Sequence, residues 1–567
     1  MALVNLPISF TSNILIDIAL MIIAATVMAF IFGRLLKQPL IPIYILTGLL
    51  IGPVFGIIKG SEEIRLLSEL GVAFLLFIVG LELSFRKIKD VGATAFIATI
   101  PQIVLVFLVG LYVAQKFFLT TEEAVYLGFI LAFSSTMVVV KLLVDRNEIN
   151  TLHGRIVLGV MLVQDLFVLF VLPALAVKEL SLLFLAEIVL KIGGLIALGV
   201  LSRFILTPLF EKTARTSEML LLTSLSSLFI FMMLSVVLEL SIIIGAFIAG
   251  VALANLQFNV EISSKIKPLR DFFATLFFVS LGLQFVFTSP DKSFYLLLAV
   301  LFAIIVILKP LIIFLIVLIL GYKERTAFLS GMSIGQISEF SLIIASQAFL
   351  NEKIGADLFS GVIILAILTI TSTSYFMKLA NPVYERLQGT LKPLLKMSII
   401  RSRPLLENRP RIKKQDILIL GCHNVGSVVV KKAQSMNKSV FAVDFDPDVI
   451  KRLINNRVPC MYGDVLNTTV LEHAGVRKTS VIISTIPEDH VTRYLIRNIK
   501  KMNKKAILFV TARYKREAKE YYDLGADFVI YPDMIAGKRV AHVVEELLKK
   551  RATPKKIKDF ELVHNLN

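Results

Sequence analysis

Cysteine is nearly missing from this 567-residue chain: Cys422 and Cys460 are the only two, and both fall in its more polar last third. That excludes a disulfide framework and a thiolate metal site, and it suits a reducing cytosol for that third. Ionisable side chains are scarce over the first 380 residues, where long apolar runs dominate. A mean hydropathy of +0.80 and 56% hydrophobic residues exclude a large soluble protein. The first residues, Met1 to Ser12, have no basic stretch of the kind that opens a cleavable signal, and the apolar segment from Ile14 is expected to stay as a span.

What is present is a membrane domain joined to a soluble one. Thirteen apolar runs lie between residues 13 and 380. One alternate set of connections carries Arg34, Lys37, Arg86, Arg146, Arg203, Arg270 and Arg325 among its many bases, whereas the other holds only Lys59, Arg65, Lys116, Lys178, Lys292 and Lys353. The positive-inside rule makes the first set cytoplasmic. An odd number of spans then places the N-terminus outside and the C-terminal domain in the cytosol, in agreement with the cysteines. The excess of 60 basic over 42 acidic residues reads through this topology, with anionic lipid as its partner and no nucleic acid.

Asp165 stands beside Gln164 in the middle of Ile156–Leu175, a run with no other ionisable residue. A carboxylate at that depth costs roughly 2.5–3.5 kcal/mol to insert, so the default reading is an ion or proton site. A protonated Asp that only packs is the bland alternative. Lys309 is a second intramembrane charge; its natural partner is Asp165, with Glu339 as second choice, and a static brace is the alternative role. Gln164 can ligate through its amide oxygen, and Ser135 and Thr136 through their hydroxyls; polar packing is the alternative for the hydroxyls. Glu339 reads equally well as a helix-break cap or as a pathway residue.

Two runs are broken by polar residues, one at Phe133-Ser134-Ser135-Thr136 and one at Gly335-Gln336-Ile337-Ser338-Glu339-Phe340. They are the fifth and twelfth runs, an odd offset of seven, so the second copy enters the bilayer from the opposite face. Inverted repeats with crossed broken helices are a secondary-transporter design, with the site at the midplane.

Residues 383–413 read as a basic, proline-punctuated linker between a membrane domain over 1–382 and a cytosolic domain over 414–567. That last domain alternates strands and helices. Strand Asp416–Leu420 runs into Gly421-Cys422-His423-Asn424-Val425-Gly426, a helix follows, and strand Ser439–Val443 ends at Asp444-Phe445. Further strands are expected at Val458–Met461, Val481–Ser484, Ala506–Val510 and Asp527–Ile530. This is a Rossmann-like pattern: a helix N-terminus for phosphate and Asp444 for ribose hydroxyls. Asp464 and Thr485 follow strand ends where parallel sheets bind ligands. His423 replaces the middle glycine of G-x-G-x-x-G, which puts close pyrophosphate approach in question, and a Rossmann fold that binds nothing is the alternative.

Ser134-Ser135-Thr136, Gln164-Asp165, Lys309, the second polar break and the C-terminal Rossmann pattern together make the chain resemble monovalent cation:proton antiporter-2 proteins of the Kef type, which carry a TrkA-N (RCK-type) domain. The resemblance covers nearly the whole length. It implies a polytopic α-helical antiporter fold and a homodimer in the cell membrane with an elevator-like core. It also implies potassium ahead of sodium for the Gln-Asp pair, with K+ or Na+ at Asp165 and Gln164. On the cytosolic domain it implies an adenine nucleotide, AMP or NAD(H), as regulator. Proton and cation are expected to compete for Asp165, giving exchange and no enzymatic turnover. A ligand-gated potassium efflux channel is the nearest rival, but no T-V-G-Y-G filter occurs. A sodium-coupled symporter fits an Asp–Lys pair less directly, and an oxidoreductase would need a second soluble domain.

Overall fold

The computed structural model describes residues 14–391 and 415–549, apart from 36–37, 59–60, 83–84, 147, 176–181, 214–215, 255, 288–290 and 467. The chain divides into two compact units between residues 400 and 401. The expected linker lies outside the described residues from 392 onward. Its first part, 383–391, continues the helix Ala356–Leu391, which runs through Pro382.

Among the described residues eight helices are long and apolar enough to cross a membrane, and a bent pair near 193–213 would make a ninth. Several runs counted in the sequence fold as shorter pieces. Ile242–Ala254 has 13 residues and spans about 20 Å, less than a bilayer core. The run 326–350 is two helices, Glu324–Met332 and Glu339–Leu350.

Close packing of four helices follows from glycine. A Cβ at Gly80 would lie 2.3 Å from the Phe247 carbonyl oxygen, and one at Gly250 would lie 2.1 Å from that of Phe77, so helices Glu62–Glu82 and Ile242–Ala254 meet backbone to backbone. Gly48 and Gly282 do the same for Leu40–Leu49 and Asn259–Leu283. In an apolar solvent, where burial supplies no drive, such close approach is what holds helices together.

The cytosolic unit is a six-stranded, all-parallel sheet: β1 Ile417–Leu420, β2 Val440–Asp444, β3 Cys460–Tyr462, β4 Val481–Ser484, β5 Ile507–Thr511 and β6 Phe528–Ile530, in the order β3-β2-β1-β4-β5-β6. Strand order reverses between β1 and β4, which makes that crevice the switch point of a doubly wound fold. Buried apolar clusters cover both faces: Val430, Val449, Ile450 and Leu453 on one, Leu471, Leu495, Ile496 and Tyr521 on the other. The strands fall within two residues of their expected positions.

Candidate functional site: a crossing of two broken helices

Thr120 and Glu123 form a reciprocal capping box that starts helix Thr121–Ala132. The helix stops at Ala132, runs extended through Phe133, and restarts at Thr136 with Ser135 as its N-cap, accepting from the Val138 N–H. The second break repeats this logic. Glu324–Met332 stops, and Glu339–Leu350 starts behind Ser338, which accepts from the Phe340 N–H. Each polar string thus supplies a serine cap for the half-helix that follows it.

The unwound segments cross in contact. Ser134 donates its hydroxyl to the Ile334 carbonyl at 3.0 Å, and the Gln336 amide donates to the Ser135 carbonyl at 3.0 Å. Thr369 accepts from the Ile337 N–H at 3.3 Å and Thr373 donates to the Gly335 carbonyl at 2.8 Å, both from the helix Ala356–Leu391. Backbone polar groups that a regular helix would have satisfied internally are satisfied here by side chains, as a water-poor interior requires.

Asp165 projects into this crossing from the helix Leu152–Leu175, buried, and accepts from the Thr136 hydroxyl at 2.9 Å on Oδ2. Thr136 is the first residue of a half-helix, so the carboxylate sits at a positive dipole end. Gln164 turns into the same crossing. Its Oε1 accepts from the Ser134 N–H at 2.9 Å and its amide donates to Gln102 Oε1, while Gln102 in turn donates to the Ala132 carbonyl at 2.9 Å. One lone pair of Gln164 Oε1 remains for a ligand.

Lys309 departs from expectation. It is buried just after a widened, π-helical turn, Ile304–Leu308. Its ammonium donates to three carbonyls: Phe133 at 2.6 Å, Gln336 at 2.9 Å and Leu131 at 3.1 Å. An ammonium has three donors, so none is left for the expected partner, Asp165. The reason is the break itself. A helix that ends at Ala132 inside a membrane leaves carbonyls that need donors, and Lys309 supplies them from across the crossing.

Glu339 opens its half-helix, buried, with its carboxylate close to the Ser135 side chain and the Met137 backbone. The structure therefore brings Asp165, Gln164, Thr136, Ser135, Lys309 and Glu339 to one crossing. Gln102, Gln336, Thr369 and Thr373 also shape it and were not singled out as site residues from sequence. Gln102 had a signal, a lone amide after Pro101 in an apolar run.

In the cytosolic unit β1 ends at Leu420, Gly421 follows with a φ of +87°, and the helix Asn424–Ser435 begins three residues after that glycine. A Cβ on Gly426 would lie 2.2 Å from the Gly421 carbonyl oxygen, so the last glycine of the motif is needed for close helix–turn packing. His423 has a φ of −70°, outside the left-handed region that favours glycine, and its ring is 68% exposed with Nε2 3.4 Å from Asp446. A side chain is thus tolerated where the usual motif has glycine.

Asp444 closes β2 with both carboxylate oxygens on backbone: Cys422 N–H at 2.6 Å and Asp446 N–H at 2.8 Å. Burial raises its pKa against the pull of those two bonds. Each oxygen keeps a lone pair that a hydroxyl could use. Thr485 donates to the Gly421 carbonyl at 2.8 Å, bridging β4 to the glycine turn, and Asp464 accepts from the Leu466 N–H at 2.9 Å after β3. Cys422 and Gly426 are buried, Val425 is exposed and Phe445 is half-buried beside Asp444. The Ser484 hydroxyl, at the end of β4, is buried with no partner among the described residues. Gly421, His423, Asp444 and Thr485 thus share one crevice edge at the switch point.

Residues 21–378 match the family described as sodium/hydrogen exchanger, transmembrane, and residues 417–532 match the TrkA-N domain. The chain is 31% identical over 383 residues to K(+) efflux antiporter 4 of Arabidopsis thaliana, covering 65% of this chain and 64% of that protein. It is 28% identical over 562 residues to the putative cation/proton antiporter YbaL of Escherichia coli, covering 93% and 96%. The solved structure of the sodium proton antiporter MjNhaP1 from Methanocaldococcus jannaschii shares the fold over 67% of this chain and 98% of that one, with a TM-score of 0.51 at 18% identity. The matched stretch spans somewhat less than two thirds of the plant relative. With crossed broken helices in one unit and a parallel Rossmann-like sheet in the other, the chain belongs to the sodium/hydrogen exchanger family, in the Kef-type arrangement of an exchanger domain followed along the chain by a TrkA-N domain.

Proposed function

We propose that the chain exchanges a monovalent cation, potassium ahead of sodium, for a proton across a cell membrane, with both competing for the Asp165 carboxylate. The observation that carries this reading is Asp165 itself, a buried carboxylate held by Thr136 where two broken helices cross. A proton or a dehydrated cation neutralises it, and only the neutral site crosses the bilayer at low cost. Because Lys309 is committed to three carbonyls, it serves as a brace in this arrangement and Asp165 is the charge that changes. Gln164 holds the first break through Ser134 and offers its remaining lone pair to the cation. One carboxylate exchanged between two monovalent partners gives electroneutral antiport.

Alternating access is an elevator-like movement of the crossing against the glycine-packed bundle, in a homodimer with its N-terminus outside. An adenine nucleotide, AMP or NAD(H), occupies the β1/β4 crevice through the Gly421–Gly426 turn and Asp444. It biases the transport rate through unequal affinity for two states of the protein.

The test is cation-driven pH change in proteoliposomes that hold a pH dye, with wild type beside Asp165→Asn. Exchange in the first and none in the second supports the reading. Full exchange in the variant contradicts it. A cation flux orders of magnitude faster, uncoupled from protons, would instead mark a ligand-gated efflux channel.

A further inference from the structure

We propose that Glu339 is a second proton-carrying carboxylate, loaded through a polar cleft on the outer face of the membrane domain. This rests on the reading of Asp165 as the exchange site and adds the route by which its proton arrives.

One oxygen of Glu339, Oε2, is buried with no hydrogen-bond partner among the described residues. The same is true of Gln336 Oε1, whose amide nitrogen reaches the Ser135 carbonyl, while the Glu339 carboxylate lies close to the Ser135 side chain. An unpaired acceptor at that depth is expensive unless something visits it. Asp165 accepts from the next residue, Thr136, so the two carboxylates lie beside consecutive residues at the start of one half-helix.

Glu339, Ile343, Ser346 and Leu350 lie on one face of the helix Glu339–Leu350, at a spacing of four, three and four. The last three line a cleft with Gln347, and Ser68, Glu69 and Gln284 face them from the helices Glu62–Glu82 and Asn259–Leu283 and the residue that caps the latter. Its free space admits about one water molecule, enough for a proton path and too little for a hydrated cation. The cleft lies at the Leu350 end, near the connections that carry Arg65 and Lys353. The positive-inside rule puts that sparsely basic set of connections outside.

The charged groups that face Glu339 are Arg270 on the helix Asn259–Leu283, Lys309 through the Gln336 carbonyl, Asp165 beyond Thr136, and Arg65 and Glu69 at the cleft. A proton leaves a cleft water for Glu339 Oε2 and then passes to the Asp165 carboxylate, which releases its cation. Glu339 is ionised again at the end.

Two measurements on the full chain test this. In intact cells Ser346→Cys should react with a membrane-impermeant thiol reagent added outside, and the reaction should slow exchange. The native thiols give little background, because they lie in the TrkA-N domain and burial pushes Cys422 up to about 12 and Cys460 to about 11. In proteoliposomes Glu339→Gln should lose the dependence of rate on pH at the cleft side, yet keep stabilisation by potassium, which Asp165 supplies. If Glu339→Gln does not fold, Glu339→Asp should keep the pH dependence at a reduced rate. An unlabelled Ser346→Cys, a wild-type pH profile in Glu339→Gln, a lost profile in Glu339→Asp, or loss of potassium stabilisation in Glu339→Gln overturns the proposal. Exchange that survives in Asp165→Asn sinks the underlying reading instead, whatever Glu339 does.

Discussion

Thr136 gives its hydroxyl to Asp165 at 2.9 Å from the first position of a half-helix, so that one residue both restarts the broken chain and orients the carboxylate. Removing that hydroxyl while keeping shape, as in Thr136→Val, takes a hydrogen bond from a charged group, worth about 1.5–3 kcal/mol. Apparent cation affinity should fall by about tenfold or more, and Thr136→Ser should retain most of it. Isothermal titration of both variants with potassium reads the difference.

Lys309 tells a different story from Asp165. Lys309→Met strips three buried carbonyls of their donor, each about 1–3 kcal/mol of unmet desolvation, while the ammonium's own burial is relieved. The net expectation is a lower melting temperature in detergent by several degrees, with Lys309→Gln, which restores two donors, falling between. A Lys309→Met protein as stable as wild type would contradict the brace.

At the connection between the first broken helix and the Asp165 helix, Glu148 is held by Arg146 at 3.0 Å and by His153 at 3.4 Å, while Arg146 also donates to the Met377 carbonyl. Burial alone would raise the Glu148 pKa, but the His153 hydrogen bond and the His153 and Arg146 charges outweigh it and bring it down to about 2. A depressed folded pKa contributes stability above the unfolded value, near 4.5, and that contribution disappears as pH falls through about 2. Wild type should therefore exceed Glu148→Gln by about 3 kcal/mol at neutral pH, an upper figure set by the shift. Thermal unfolding at a series of pH values should show the gap closing between pH 5 and 2.

In the TrkA-N domain, Gly426→Ala should misfold the glycine turn, because its new methyl group would meet the Gly421 carbonyl oxygen. Asp444→Ala should leave the sheet in place and weaken AMP or NADH binding by tenfold or more, without changing potassium affinity. Nucleotide titration of the full-length variants, with circular dichroism as the folding control, separates the two effects.

Much of this was legible in the sequence because membranes punish exceptions. Asp165, Lys309 and the two polar breaks stand out against apolar surroundings, and each has a job at the crossing. The strand–glycine–helix pattern was equally plain, since Gly421 and Gly426 have no substitutes where they sit. What stayed hidden was pairing. Opposite charges suggest a salt bridge, yet Lys309 goes to backbone carbonyls, because sequence does not display which main-chain groups a broken helix strands. Gln102 stayed hidden for a related reason: its partners, Gln164 and the Ala132 carbonyl, lie 62 and 30 residues away. The break between Met332 and Glu339 was legible too, as a polar string inside one apolar run, and it makes two short half-helices of a single run.

The central claim, that proton and cation compete for Asp165, is tested most directly by proton release on cation binding. Potassium added to weakly buffered, detergent-solubilised protein should release up to one proton per protomer, with apparent affinity weakening about tenfold per unit fall in pH below the site's pKa. Asp165→Asn should release none. Potassium binding that is independent of pH, or proton release that survives in Asp165→Asn, would contradict the account.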